Sequence, residues 1–472
     1  MQRHRRSSTR FLDSPRSRSL DAAQPMRDAP DVLVIGGGPA GAVAATLLAD
    51  AGHRVLVLER ERFPRYHIGE SLLSATLPIL DAVGATPAIE RHGFLHKPGG
   101  TFQWGRQREP WSFRFREDPG GRPHAYQVVR AEFDQLLLEN ARAHGAGVRE
   151  EHAVTAVEAD GGQPIVHARS VGGATLRFAP RFVIDASGQA AVIGRARALR
   201  QFDDFFKNLA IFGYFRGAER LPGELANHIL SAAFADGWFW YIPLHDETMS
   251  VGAVVDARRW RALADGDPEG TYRGLIARCP AIAERLARAT LASPVRIIRD
   301  YSYTSTRFTG PGFLLAGDAA CFIDPVFSTG VHLACLAGFL GARAVDGVLA
   351  GAAPEAQALA EYEAAYRGAF ERYLRFLYFF YDHNEDPDSY FWTARRILTH
   401  APADLSARTA FVRLVSGNGD WDMAQALVAE EHARWAEGIR SGRPSAVPGN
   451  DLFRVRATSA LTGLPARSRD GS

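Results

Sequence analysis

Asp31-Val32-Leu33-Val34-Ile35-Gly36-Gly37-Gly38-Pro39-Ala40-Gly41 decides the fold. Asp31 to Ile35 reads as a buried strand, short and apolar. Gly36, Gly38 and Gly41 then make the spacing G-x-G-x-x-G. The first glycine permits a tight turn, the second lets the backbone approach a pyrophosphate, and the third lets a helix pack close to the strand. An alanine-rich segment to about Asp50 supplies that helix. Arg54-Val55-Leu56-Val57-Leu58 reads as a second strand, ending in Glu59. An acid at that distance can hold ribose hydroxyls. A glycine pattern alone is weak, but strand, helix, second strand and acid in series point to a dinucleotide site. The predicted class is α/β with a Rossmann-like module.

A distant segment adds to it. Gly310 to Ala320 reads as a turn, a strand, and then Gly317-Asp318 opening a helix. A helix N-terminus offers free N–H groups and partial positive charge to a phosphate or a polarised flavin edge. The arrangement resembles that of class A flavin monooxygenases. The resemblance implies FAD, with Asp318 at the ribityl chain and Arg130 of Val128-Val129-Arg130-Ala131-Glu132-Phe133-Asp134 nearby. It also implies that Asp185 of Val183-Ile184-Asp185-Ala186-Ser187-Gly188 lies beside the adenosine half, and Val154 against the adenine. A plainer reading makes Arg130 a surface ion and Asp185 a turn cap.

Gly237-Trp238-Phe239-Trp240-Tyr241-Ile242-Pro243 names the chemistry. A strand alternates its side chains, so Trp238 and Trp240 share one face. Trp-x-Trp alone would be a core face, since aromatics favour strands. The full W-x-W-x-I-P string resembles the signature of flavin-dependent halogenases, which chlorinate or brominate aromatic rings. Further strings resemble that family, including Pro64 to Ser71, Leu209 to Phe215, Asp300 to Tyr303 and Asp388 to Trp392. The likeness runs from about Asp31 to about Leu398.

The chain has 55 basic residues, and all but Lys97 and Lys207 are arginine. Lys97, in Gly93-Phe94-Leu95-His96-Lys97-Pro98-Gly99-Gly100, falls where the family carries its catalytic lysine. An ε-amine can be partly neutral when buried, whereas a guanidinium stays protonated. The amine can then hydrogen-bond hypohalous acid or form a haloamine. Lys207 reads as peripheral.

Phe322-Ile323-Asp324-Pro325-Val326-Phe327-Ser328-Thr329-Gly330-Val331-His332 resembles the family's halide loop, with Thr329 and Gly330 at the halide. Consecutive amides at a helix start suit an anion. Ser328 or Thr329 can equally cap that helix. The resemblance also puts Ala40, Arg60, Pro325 and Val331 at the FAD, beside Gly36, Gly38, Gly41, Glu59 and Gly317. The tryptophan-specific branch has a glutamate just before Ser-Thr-Gly, and here Phe327 stands there. The departure argues against free tryptophan. A phenol activates its own ortho positions, so phenolic, tyrosine-like rings are expected first and pyrroles second. Such rings can be free or tethered to a peptidyl carrier protein.

The two FAD half-sites, near 36 and 318, imply an interleaved FAD domain over 30–350. A β-rich substrate layer is expected over about 100–125 and 200–305, with a helical region over 351–472 and a disordered basic arm over 1–29. Phe370 to Phe380, dense in aromatics at helical spacing, reads as core. No run of 18 apolar residues implies a membrane span. A net charge of +2 gives no reason to expect nucleic acid. Cys279, Cys321 and Cys335 have no metal or redox spacing, which suits a reducing cytoplasm.

The resulting expectation is an FADH2-dependent halogenase of secondary metabolism, fed by a separate flavin reductase. O2 and FADH2 would give a C4a-hydroperoxide, chloride or bromide would attack it, and Lys97 would direct the hypohalous acid to the ring. Trp238 and Trp240 would wall the flavin from the substrate. The alternative is a class A aromatic hydroxylase, which needs no halide.

Overall fold

The computed structural model describes residues 29–382 apart from 105–108, 161 and 265, together with 397 and 406–425 apart from 421. Val32–Ile35 is buried along its whole length. Apolar on both faces, it sits inside a parallel sheet. Val55–Leu58 pairs on one side and Phe182–Asp185 on the other, both parallel. Gly147–Arg149 and Phe313–Leu315 extend the sheet outward, and Thr309–Gly310 closes one edge antiparallel. The strands of this one sheet are therefore drawn from across residues 32–315. The order reverses beside Val32–Ile35, and such a switch point opens a crevice at the strands' carboxyl ends.

A nine-stranded sheet stands beside the first. Arg200–Arg216, Thr248–Asp256, Gly237–Pro243 and Ile229–Phe234 run antiparallel in succession. Gly99–Gln103 then adds parallel to Ile229–Phe234, and Trp111–Arg114 follows. Alternation divides the Trp strand between two cores. Trp238, Trp240 and Ile242 join the large core shared with the first sheet. Phe239 and Tyr241 join a smaller core behind. That second core is covered by helices Ala257–Leu263, Pro268–Ala277 and Pro280–Ala283. The expected β-rich segment thus carries a helical insertion. Its caps explain it: Asp256 accepts the Arg258 N–H, and Asp267 accepts those of Glu269 and Gly270 ahead of Pro268.

Gly317-Asp318 does not open the expected helix. Gly317–Ala319 is one 3-10 turn, followed by the short strand Cys321–Phe322. Gly317 takes φ +62° and Asp324-Pro325 imposes a further turn, so the long helix starts later, at Gly330. Helix Gly330–Leu349 is the one described helix long and apolar enough to cross a membrane, and 78% of its apolar window is buried inside the protein. It packs on Pro39–Asp50 so closely that a β-carbon on Gly338 would fall 2.4 Å from the Ala40 carbonyl oxygen. Helix Glu355–Asp382 follows and buries Phe370, Tyr373, Phe376, Leu377 and Phe380, the expected core packing. Residues 1–28 and Asp388 to Trp392 lie outside the described residues.

Candidate active site

The glycine loop has the steric shape its spacing requires. Gly36 takes φ +98°, and a β-carbon there would fall 2.5 Å from the Ala186 carbonyl oxygen. One on Gly41 would fall 2.0 Å from the Gly36 oxygen. At Gly38 a β-carbon would approach the end of Arg65 alone, so this residue faces open space at the helix start. Glu59 is buried; its Oε2 accepts the Gly37 N–H at 2.7 Å and its Oε1 the Glu61 N–H at 2.9 Å. Arg60 is exposed. A β-carbon on Gly317 would lie 3.3 Å from that of Ala40. The two half-sites, 280 residues apart in sequence, therefore meet.

Arg130 is buried at the start of helix Arg130–Ala143, not a surface ion. Its Nε and Nη2 donate to the two Asp134 oxygens at 2.8 and 2.9 Å, and its Nη1 to the Ile68 and Gly69 carbonyls. Arg65 reaches the same carboxylate at 2.9 Å. Asp318 is half-buried, and burial pushes its carboxyl up to about 6 against Arg130 and Arg200. Asp185 is a turn cap: its oxygens accept from the Ser187 N–H and hydroxyl and from the Ile193 N–H at 2.7 Å. Burial raises its carboxyl despite those bonds. Val154 is half-buried at a bulge in the three-stranded sheet.

The segment expected to hold the halide is braced by Asp324. It accepts the Val326 N–H at 3.1 Å, the Asn208 amide at 3.0 Å and the Tyr381 hydroxyl at 2.9 Å. Pro325 starts the following 3-10 turn, and Val331 is buried at the start of the long helix. Ser328 is left-handed at φ +61° and Thr329 right-handed at φ −79°. Successive residues of opposite hand turn their N–H groups toward one concave side, which suits an anion. Thr329 is the N-cap but its hydroxyl does not cap the helix; Oγ1 is buried without a hydrogen-bond partner among the described residues. Gly330 is exposed, with room for a β-carbon.

Lys97 ends strand Leu95–Lys97, paired with Ala125–Gln127. It is 2% exposed and has no carboxylate partner among the described residues; Nζ donates to the Leu72 carbonyl at 2.9 Å and lies 5.4 Å from the Phe115 ring centre. Burial pushes its ammonium down to about 7. Lys207, by contrast, pairs with Asp204 at the surface. Trp238 and Trp240 have ring centres 6.3 Å apart. Trp240 Nε1 donates to Ser250 Oγ at 3.1 Å, while Trp238 Nε1 is buried without a partner among the described residues.

A narrow cavity lies between Lys97 and the 326–328 segment. Lys97, Gly100, Phe102, Ser231, Val326, Phe327 and Ser328 line it. It leaves about 10 Å³ for the centre of a water molecule, room for roughly one. Phe327, at the position of the missing glutamate, packs 6.1 Å from Phe102, 5.1 Å from Phe376 and 4.9 Å from Phe380. Three features escaped the sequence reading: the Leu72 acceptor, buried His228 on Thr101 at 3.1 Å, and buried Glu70. A lone acid in Ile68-Gly69-Glu70-Ser71 was the available signal.

A family model described as tryptophan halogenase matches residues 31–121 and 116–437. A tryptophan 2-halogenase of Chondromyces crocatus is 38% identical over 409 residues, 84% of this chain and 77% of the relative. Among solved structures, the myxobacterial chondrochloren halogenase CndH matches with TM-score 0.72 and 42% identity over 93% of this chain and 98% of its own. The flavin-dependent halogenase CmlS matches with TM-score 0.70 and 34% identity over 93% and 78%. The chain belongs to the flavin-dependent halogenases. It is an enzyme that uses FADH2, O2 and a halide, with a flavin reductase as supplier and an aromatic ring as substrate. The hydroxylase alternative falls with that membership.

Proposed function

We propose that this halogenase chlorinates a phenolic, tyrosine-like ring, with Lys97 delivering the hypohalous acid. The observation that carries the reading is the single cavity lined by both Lys97 and Val326 to Ser328. Reduced FAD, when bound, supplies with O2 the oxidising power that turns halide into hypohalous acid. The glycine loop, Glu59, Arg130 and Asp318 would hold it, and the orphan Thr329 hydroxyl with the amides of 329–331 would hold the halide.

Lys97 shares its ammonium with one carbonyl and no counter-ion, so near neutral pH it exists in both protonation states. Its charged form can donate to the oxygen of hypohalous acid as the halogen is transferred. The buried Trp238 and Trp240 rings would keep the flavin side and the ring apart. The reading departs from the substrate in the name of the Chondromyces crocatus relative because of Phe327. That side chain offers no carboxylate to an indole, whereas a phenol needs none.

The test supplies purified protein with reductase, FAD, O2 and chloride or bromide. Free and carrier-tethered tyrosyl compounds, other phenols, pyrroles and tryptophan are offered in parallel. Chlorinated phenol as the fastest product supports the reading, and lost product with retained FAD binding in Lys97→Ala supports the lysine role. Faster chlorination of tryptophan overturns the phenol assignment.

A further inference from the structure

The family's overall reaction consumes a proton. Aryl–H, Cl⁻, O2, FADH2 and one H⁺ give aryl–Cl, FAD and two waters. Hydrogen, oxygen and charge balance only with that proton on the left. Yet the described centre is packed, with Trp238, Trp240, Phe327 and Lys97 all buried. A proton needs a route that does not admit bulk water, because water would compete for the hypohalous acid.

Among the described residues, a chain of two tyrosine hydroxyls runs from solvent to a buried acid. Tyr66 is 42% exposed, and its Oη lies 3.0 Å from the Tyr214 Oη. The Arg296 guanidinium sits 4.1 Å over the Tyr66 ring and holds it in place. Tyr214 Oη donates to Glu70 Oε1 at 2.7 Å. Glu70 is buried, and its other oxygen, Oε2, has no hydrogen-bond partner among the described residues. Ser250 lies beside this carboxyl, and the same Ser250 accepts the Trp240 indole N–H. On the other flank, Arg130 binds the carbonyls of Ile68 and Gly69, the residues just before Glu70. The inner end of the chain therefore lies between the tryptophan strand and the Arg130 site.

We propose that Tyr66, Tyr214 and Glu70 are the inlet for the proton consumed in each turnover. Glu70, protonated on its inner oxygen Oε2, releases that proton to the oxygen that leaves the reaction as water. The carboxylate takes a proton on Oε1 from Tyr214, Tyr214 from Tyr66, and Tyr66 from hydronium or a buffer acid in solvent. Each O–H bond broken is replaced by one formed, and the chain returns to its starting state once the hydroxyls rotate back and the Glu70 carboxyl turns its new proton from the Tyr214 side to the inner side. Burial pushes the Glu70 carboxyl up to about 7, which lets it both hold and release a proton near neutrality. Burial also raises the Tyr214 phenol well above its ordinary range, so it passes a proton on without resting as phenolate. These are positioning and relay groups, and the assignment rests on the family's halogenation, not on the phenol substrate.

The experiment uses Tyr66→Phe and Tyr214→Phe, with Glu70→Gln as the spectroscopic reference. Flavin-free protein is mixed rapidly with D2O, and the carboxylic-acid band that is absent in Glu70→Gln is followed by infrared. The complete enzyme with reductase is assayed for kcat, KM and solvent isotope effect. The relay predicts that exchange and kcat both fall at least ~10-fold in each Phe variant, while FAD affinity and KM stay unchanged. Tyr66→Phe removes only a surface hydroxyl, so its fold is secure. Unchanged exchange in both variants, or unchanged kcat despite slowed exchange, overturns the proposal. The exchange measurement requires no substrate, so a mistaken ring assignment leaves it intact.

Discussion

Gly252 lies directly beneath the Trp240 indole: a β-carbon there would fall 2.1 Å from the ring. Strand register places them opposite each other. Gly252→Ala must tilt the indole and break its bond to Ser250. Overpacking of this kind costs about 1–3 kcal/mol. Urea unfolding should show that loss, and near-ultraviolet circular dichroism a changed tryptophan signal.

Lys97 should mark itself through pH. Its folded value, about 7, lies below the ordinary lysine value, so the unfolded chain binds the extra proton between the two. Stability contributed at this site therefore rises as pH increases from about 7 toward 10, and the full penalty holds below. Lys97→Met, of similar length and uncharged, should be more stable than the wild type at pH 6 by on the order of a few kcal/mol. The gap should close at higher pH. Denaturant titrations of both proteins across that range check the sign, and a gap independent of pH would refute it.

Phe327→Glu restores the glutamate of the tryptophan-specific branch but inserts it among Phe102, Phe376 and Phe380. An acid without partners there costs roughly 3 kcal/mol. Burial raises its folded pKa, so the deficit is full at neutral pH and shrinks as pH falls toward about 4. Thermal melts at two pH values test this, and unchanged melting at pH 7 would show a solvated site.

Asp134→Asn removes the shared partner of Arg130 and Arg65. Burial acts to raise this carboxyl, but the arginines outweigh it and hold it below the ordinary range. The pair's contribution is thus present above about pH 4 and lost as pH falls through the lower folded value. Leaving a buried guanidinium unmatched costs about 3–5 kcal/mol. Unfolding at pH 7 should register it, together with weaker FAD binding by flavin fluorescence.

How much the chain disclosed depended on sequence distance. Gly36 and Gly41 were legible because their constraint is local: one turn and one strand–helix contact. Trp238 and Trp240 were placed on one face by period alone, and they share one core. Gly317-Asp318 misled because an acid after glycine suits a 3-10 turn as well as a helix. The helices over 257–283 carried their signals in Asp256 and Asp267-Pro268, which the surrounding strand pattern outweighed. Lys97 donating to Leu72 crosses 25 residues, and Tyr214 donating to Glu70 crosses 144. No periodicity encodes such pairings, which exist only once two sheets have docked.

The contact of Gly338 with Ala40 sets limits on how such enzymes can diverge. It locks two helices whose starting ends carry different segments, the glycine loop for one and residues 324–329 for the other. The spacing between those ends is then fixed by a glycine remote from both. Chimeras that exchange one helix without the other will shift the glycine loop against the 324–329 segment even with every side chain at those ends retained. The two segments, about 290 residues apart in the gene, behave as one heritable part.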